Sequence, residues 1–192
     1  MQTIFDLHRR AVDAVRPIVA RVGEADLGRP TPCAGWDLRT LLAHMIGQDH
    51  GFAAAVREDV GVEAFAPREH EEWATAVVDA FAAADPARAV LLPEFEGRRF
   101  PLEMVVGFHF LDTLVHGWDV AASLGIAITY DEDLVAAVHE QARLVPGGEA
   151  RTAPGAVFAP ELSTEDGSRW AQTLAMLGRD PHWAARSPAH QP

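Results

Sequence analysis

The chain has 192 residues, 48% of them hydrophobic and 23% charged, enough for one sizeable core in one domain. A formal charge of −12 argues against a nucleic-acid groove or an anionic membrane surface, since both reward clustered Lys and Arg. No apolar run approaches the roughly 20 residues of a membrane span. The lone Cys33 and an N-terminus without a secretory pattern point to a reducing cytoplasm.

Leu7, Ala11, Val15, Ile18 and Val22 recur at three- and four-residue steps and predict an amphipathic helix over 5–22, bent or shortened by Pro17. Residues 28–35 are too rich in Pro and Gly to stay helical, and Asp37 then caps a second helix running to about residue 57. A third helix is expected over about 67–84, with Trp73, Val77, Ala80, Phe81 and Ala84 facing inward and Asp85-Pro86 ending it. Residues 89–100 read as a short hairpin or an extended crossover. Pro101 suits the first position of a long helix to about Leu124, where Gly125 stops it in a left-handed conformation. Tyr130 to Asp133 opens another helix, with Leu134, Val138 and Ala142 on one face and Pro146-Gly147-Gly148 beyond it. A Pro- and Gly-rich connection, 146–167, reads as a lid or a disordered stretch. Trp170, Leu174 and Leu177 then mark a short last helix, and a tail frays from 187. The expected fold is an all-α four-helix bundle with this extra C-terminal helix, in one domain over 1–186 with a flexible tail at 187–192.

The chemistry lies in the second and fourth predicted helices. His109, Asp112, His116 and Asp119 are spaced three, four and three apart, so at 100° per residue they fall within an arc of roughly 80°. Such a stripe is ordinarily a solvated face. Here Phe108, Phe110, Leu111, Leu114, Val115, Trp118, Val120 and Ala121 occupy the rest of the helix, so it reads as buried nearly all round with a polar seam inside. Asp112 and His116, four apart, can grip one ion, and His44 in the apolar run Leu41-Leu42-Ala43-His44-Met45-Ile46 can join them from a neighbouring helix. Two imidazoles and one carboxylate leave open positions, the arrangement of a catalytic rather than a closed structural site. The donor set suits zinc first, with nickel or iron as alternatives. His109 and Asp119 are candidate catalytic residues that orient the ligands or move a proton. Cys33 reads as a small buried hydrophobe, and His8, His50, His70 and His139 as surface or packing residues.

Thr31-Pro32-Cys33-Ala34-Gly35-Trp36-Asp37-Leu38-Arg39, continuing to Leu41-Leu42-Ala43-His44, resembles the DinB-like metal-binding bundles of actinobacteria, as does Asp112-Thr113-Leu114-Val115-His116-Gly117-Trp118-Asp119. More narrowly the chain is similar to the N-terminal domain of mycothiol-dependent maleylpyruvate isomerases and to their single-domain relatives. Leu177-Gly178-Arg179-Asp180-Pro181-x-Trp183 matches a recurrent ending of those relatives. The resemblance implies that His44, Asp112 and His116 are metal ligands, with Asp112 standing where the isomerases have Glu. It implies mycothiol as a cofactor. The isomerases also carry a C-terminal domain that helps bind the thiol, for which this sequence is too short, so maleylpyruvate isomerisation itself is not carried over.

The resulting expectation is a divalent-metal-dependent enzyme that uses or modifies a low-molecular-weight thiol, by S-transfer or isomerisation, on a small-molecule substrate. Two other readings fit the same residues. One is a non-haem iron oxygenase built on the two-histidine, one-carboxylate triad. The other is a non-enzymatic bundle that binds a metal or small molecule, or pairs with itself as a homodimer.

Overall fold

The structure is a computed structural model that describes residues 2–69, 73–74, 76–95, 97–153 and 156–184. The first stripe of apolar residues forms α1 (Ile4–Val19), opened by a capping box in which the Thr3 hydroxyl accepts from the Asp6 amide and the Asp6 carboxylate accepts from the Thr3 amide. It runs through Pro17 and ends at Val19, short of Val22, where the bonds tighten to i→i−3 from Arg21 to Ile18 and from Val22 to Val19. Asp37 caps α2 (Leu38–Ala55), as expected, through the Thr40 amide at 2.9 Å.

The expected helix over 67–84 is the largest correction. Among the described residues of that stretch only α3 (Val77–Ala83) is helical, and residues 70–72 and 75 lie outside the described residues. Close contacts draw the preceding backbone onto α2 instead. A Cβ on Gly47 would stand 2.5 Å from the Ala66 carbonyl oxygen, one on Gly51 would strike the Phe65 ring, and the Arg68 amide donates to the Ala43 carbonyl at 2.9 Å. Ala74 then adopts a left-handed φ of 58° and donates its amide to the Asp49 carboxylate. Tertiary contacts override helical propensity here, while Trp73, Val77, Ala80 and Phe81 still face the core.

Residues 89–100, left open between two forms, are a hairpin. Strands β1 (Ala89–Leu92) and β2 (Arg98–Pro101) pair antiparallel with Val90 opposite Phe100, and Val90, Leu92 and Phe100 turn inward. The fold is therefore mostly helical with a small two-stranded sheet, and the all-α expectation is corrected to that extent. Pro101 closes β2 and is the N-cap rather than the first residue of α4 (Leu102–Leu124), which starts one residue later than expected, and Gly125 ends that helix at φ 70°. Helix α5 (Glu132–Ala142) follows. Within the connection the guanidinium of the buried Arg151 donates to the carbonyls of Pro146 and Ala159. Helix α6 (Arg169–Met176) packs on α5, where the His139 ring meets the Thr173 hydroxyl at 3.0 Å. The tail assigned to 187–192 lies outside the described residues. Among the described residues, no helix is long and apolar enough to cross a membrane.

Helix α4 is the axis of the core. It is buried nearly all round, with α1, α2 and α5 packed against it, while α3 bridges α1 and α2. The close approach of α1 requires Gly117, where a Cβ would stand 2.4 Å from the Val15 side chain and 2.9 Å from the Tyr130 hydroxyl. Inside a helix, alanine is intrinsically better than glycine by about 1 kcal/mol. At this position the overlap outweighs that preference, so Gly117→Ala is expected to destabilise by about 1–3 kcal/mol in denaturant unfolding. A stabilised variant would show that the α1 contact is not close-packed.

Candidate metal centre

The loop before α2 is threaded by Thr31. Its hydroxyl donates to the carbonyl of Trp36 at 2.9 Å and accepts the Cys33 amide at 3.2 Å, while Gly35 turns the chain at φ 82°. This places Cys33 beside His116 and Asp119 of α4 and sets the Trp36 ring against His44 of α2 and His116. Two turns into α2 stands His44, facing Asp112 and His116 of α4. The His44 Nε2 lies 3.8 Å from Asp112 Oδ1, and His116 Nε2 lies 3.2 Å from the same oxygen. The three donor atoms all lie within 4.8 Å of one another. Donors on one tetrahedral ion with bonds near 2.0 Å stand about 3.3 Å apart, so the set needs only small shifts to close on a divalent cation. The side chains of His44 and Asp112 are 25% and 28% exposed and that of His116 is 9% exposed, so one side of the group is open to solvent. Trp36 covers an adjoining side, its ring 4.9 Å from His44 and stacked 6.3 Å from His116.

Behind His116 the groups are polar rather than apolar. Its Nδ1 lies 2.9 Å from Asp119 Oδ2, which also accepts from the Cys33 thiol at 3.2 Å and from Arg179 Nη2 at 3.4 Å. Arg179 Nη2 reaches the Cys33 sulfur as well, at 3.3 Å. Cys33 is therefore a half-buried member of a polar cluster, not the buried apolar residue expected. Burial alone would raise the pKa of Asp119, but Arg179, His116 and Cys33 outweigh it and hold the carboxyl below its ordinary range. Burial opposes charge on Asp112 too, yet His116 and His44 keep that carboxyl well below the usual value. For His116, burial opposes the charged form, and Asp112, Asp119 and Cys33 reverse this and raise its pKa well above normal.

A second set of donors, Cys33, His116 and Asp119, also lies within 4.8 Å. It shares the His116 ring through the opposite nitrogen. Arg179 already places a cation against both its sulfur and its carboxylate, so a further cation there meets direct repulsion. The set His44, Asp112 and His116 is electrostatically the better cation site.

The structure brings Asp119 up to this centre and places His109 elsewhere. His109 faces the inside of the α1, α2 and α4 packing, where its Nδ1 meets His8 Nε2 at 2.8 Å and its Nε2 meets Asp49 Oδ1 at 3.0 Å. Phe52 and Phe81 wall this cluster. His8, read from the sequence as a surface or packing residue, is 1% exposed, and the polar roles of His8, Asp49 and Arg179 were missed. The i, i+4 signal that exposes Asp112 and His116 has no counterpart for partners that meet from different helices.

A family model described as the mycothiol maleylpyruvate isomerase N-terminal domain matches residues 8–121. Two uncharacterised proteins of Mycobacterium tuberculosis, MT0763 of strain CDC 1551 / Oshkosh and Rv0738 of strain ATCC 25618 / H37Rv, are each 32% identical over 166 residues, covering 80% of this chain and 85% of the relative. No solved structure matches the chain.

The His8 to His109 pair gives a measurable acid dependence. Burial, reinforced by neighbouring His109, pushes the His8 imidazole from 6.5 down to about 2. The folded pKa lies below the unfolded one, so below pH 6.5 the unfolded chain takes up a proton that the folded chain refuses. This contribution to stability is intact above that pH and declines on acidification, by at most about 1.4 kcal/mol per pH unit. Against His8→Gln, the wild-type stability is expected to fall more steeply between pH 7 and 5 in urea titrations. Parallel pH profiles would contradict a neutral, buried His8.

Proposed function

The chain belongs to the mycothiol maleylpyruvate isomerase N-terminal domain family, and from that premise we propose that it is a divalent-metal-dependent enzyme acting with a low-molecular-weight thiol of the mycothiol type. The observation that carries the reading is the convergence of His44 Nε2, Asp112 Oδ1 and His116 Nε2 from two helices on a point open to solvent on one side. The family match ends inside α4, and we read α1 to α4 as its four-helix bundle, with α5 and α6 added beyond it.

In this reading His44, Asp112 and His116 hold the ion, zinc first by the chemistry of the donors. A divalent ion bound there lowers the pKa of a coordinated thiol, so that a thiolate is available near neutral pH for S-transfer or for reversible addition to an unsaturated acid. The residues of the chain do the positioning. Asp119 accepts the Nδ1–H of His116 and so turns the Nε2 lone pair towards Asp112 and His44. Trp36 shields the rings of His44 and His116 from water on one side, while the exposed edges of His44 and Asp112 leave an entry for a small molecule. With His109 committed to His8 and Asp49, its sequence-based role as a proton carrier has no support from the geometry, and Asp119 is the one of the two candidates that touches a ligand. The half-exposed, unpaired Cys33 beside this centre suits a reducing cytoplasm.

Elemental mass spectrometry on tag-free protein tests the reading. About one equivalent of zinc, nickel or iron per chain is expected, lost in His44→Ala and in His116→Ala while far-UV circular dichroism stays unchanged. Protein that carries no metal and takes none up on addition would overturn it, leaving a helical protein whose polar seam serves packing or metal-free binding.

A further inference from the structure

Arg179 enters the centre from outside the stretch that the family model matches, and it arrives there by a defined turn. Helix α6 ends in a Schellman motif, with Gly178 at φ 75° donating its amide to Ala175 at 3.0 Å and the Arg179 amide donating to Leu174 at 2.9 Å. No other residue fits at 178, since a Cβ would stand 2.7 to 2.9 Å from Ala159 and the Pro160 carbonyl of the connection. The turn aims the Arg179 side chain inward, where it is 8% exposed. There Nη1 donates to the Leu177 carbonyl at 2.9 Å, and Nη2 spans Cys33 Sγ and Asp119 Oδ2. The Phe158 ring of the connection lies 5.9 Å from its guanidinium carbon, with Arg151 on the same ring at 5.3 Å.

We propose that Arg179 is a positioning residue for the metal centre, so that docking of the segment after α6 and metal binding at His44, Asp112 and His116 favour one another. The proposal rests on the metal reading above. The path is short and made of direct contacts: Arg179 to Asp119, Asp119 to His116 Nδ1, and His116 Nε2 to the donor set. Asp119 is fully buried, and its Oδ1 has no hydrogen-bond partner among the described residues, so the orientation of its ring-facing oxygen depends on few contacts. Arg179 supplies the one guanidinium among them. Without it Asp119 is a buried carboxylate whose remaining partners are His116 and Cys33, free to turn away from the ring. A lysine restores the charge but has no second nitrogen to hold the Leu177 carbonyl while the first spans sulfur and oxygen. Linkage makes the effect reciprocal: whatever the docked segment adds to metal affinity, the metal adds to the docked segment.

The test combines zinc affinity by chelator competition with amide hydrogen exchange of peptides covering 177–184, in wild type, Arg179→Gln, Arg179→Lys, Asp119→Asn and the Arg179→Gln/Asp119→Asn double variant. Arg179→Gln is expected to weaken zinc binding about 10–100-fold, Arg179→Lys less, and the double variant no more than Asp119→Asn alone. Zinc should slow exchange at the Gly178 and Arg179 amides in wild type and leave it unchanged in Asp119→Asn. At saturating cobalt(II), the absorption bands of Arg179→Gln should shift, which a purely structural role would not produce. Folded Arg179→Gln with wild-type affinity, additive losses in the double variant, or exchange at 178–179 indifferent to zinc would each overturn the proposal. Should Arg179→Gln fail to fold, Arg179→Lys and Asp119→Asn carry the same comparison. Wild-type protein that takes up no zinc would overturn the metal reading itself, and is seen before any variant is compared.

Discussion

The imidazole of His116, held between Asp112 and Asp119 on the same helix, is the interaction on which the rest of the structure turns. Spacings of four and three residues put one carboxylate at each ring nitrogen, 3.2 Å from Nε2 and 2.9 Å from Nδ1. The half-buried Asp112 and the buried Asp119 and His116 each need a partner of opposite charge or a hydrogen bond. The chain supplies these from separate elements: His44 from α2, Cys33 from the loop before it, and Arg179 from beyond α6. Satisfying these polar groups thus ties α2, the loop before it and the segment after α6 to α4.

The polar seam of α4 serves two clusters at different heights along the axis. Seven residues separate His109 from His116, roughly 10 Å of helix. At the lower level His8, His109 and Asp49 tie α1, α2 and α4 together behind Phe52 and Phe81, away from solvent, and Asp49 also anchors Ala74 before α3. At the upper level the groups open towards solvent between Trp36 and the edges of His44 and Asp112. The same residue types thus do different work. Enclosure makes the lower cluster a structural tie, and partial exposure leaves the upper one accessible from solvent, as the proposed metal site requires.

Much of this was legible from the sequence. The positions of α1, α2, α4, α5 and α6 follow from apolar spacing with Asp37 and Gly125 as punctuation, and the helical periodicity that relates Asp112 to His116 is the same that orients the core residues around them. What was not legible came from contacts between elements. The stretch before Val77 has helical composition, yet Gly47 and Gly51 allow its backbone to press onto α2, a fact local propensity cannot carry. Pro93 and Gly97 fitted a hairpin and an extended crossover equally well, and only the pairing of Val90 with Phe100 decides between them. His109 shares the arc of the site residues, and only the presence of His8 and Asp49 opposite it shows that it belongs to another cluster. Arg179 stood in a motif quoted for resemblance alone, and its route to Asp119 depends on the Schellman turn at Gly178.

X-ray absorption at the zinc edge on zinc-loaded protein, before and after adding a low-molecular-weight thiol, tests the account most directly. Imidazole and oxygen neighbours alone are expected in the resting protein, with one sulfur at about 2.3 Å after the thiol is added. Sulfur already present in the resting protein would place the metal with Cys33 and Asp119 instead. No sulfur after thiol addition would contradict the thiol chemistry assigned to the centre.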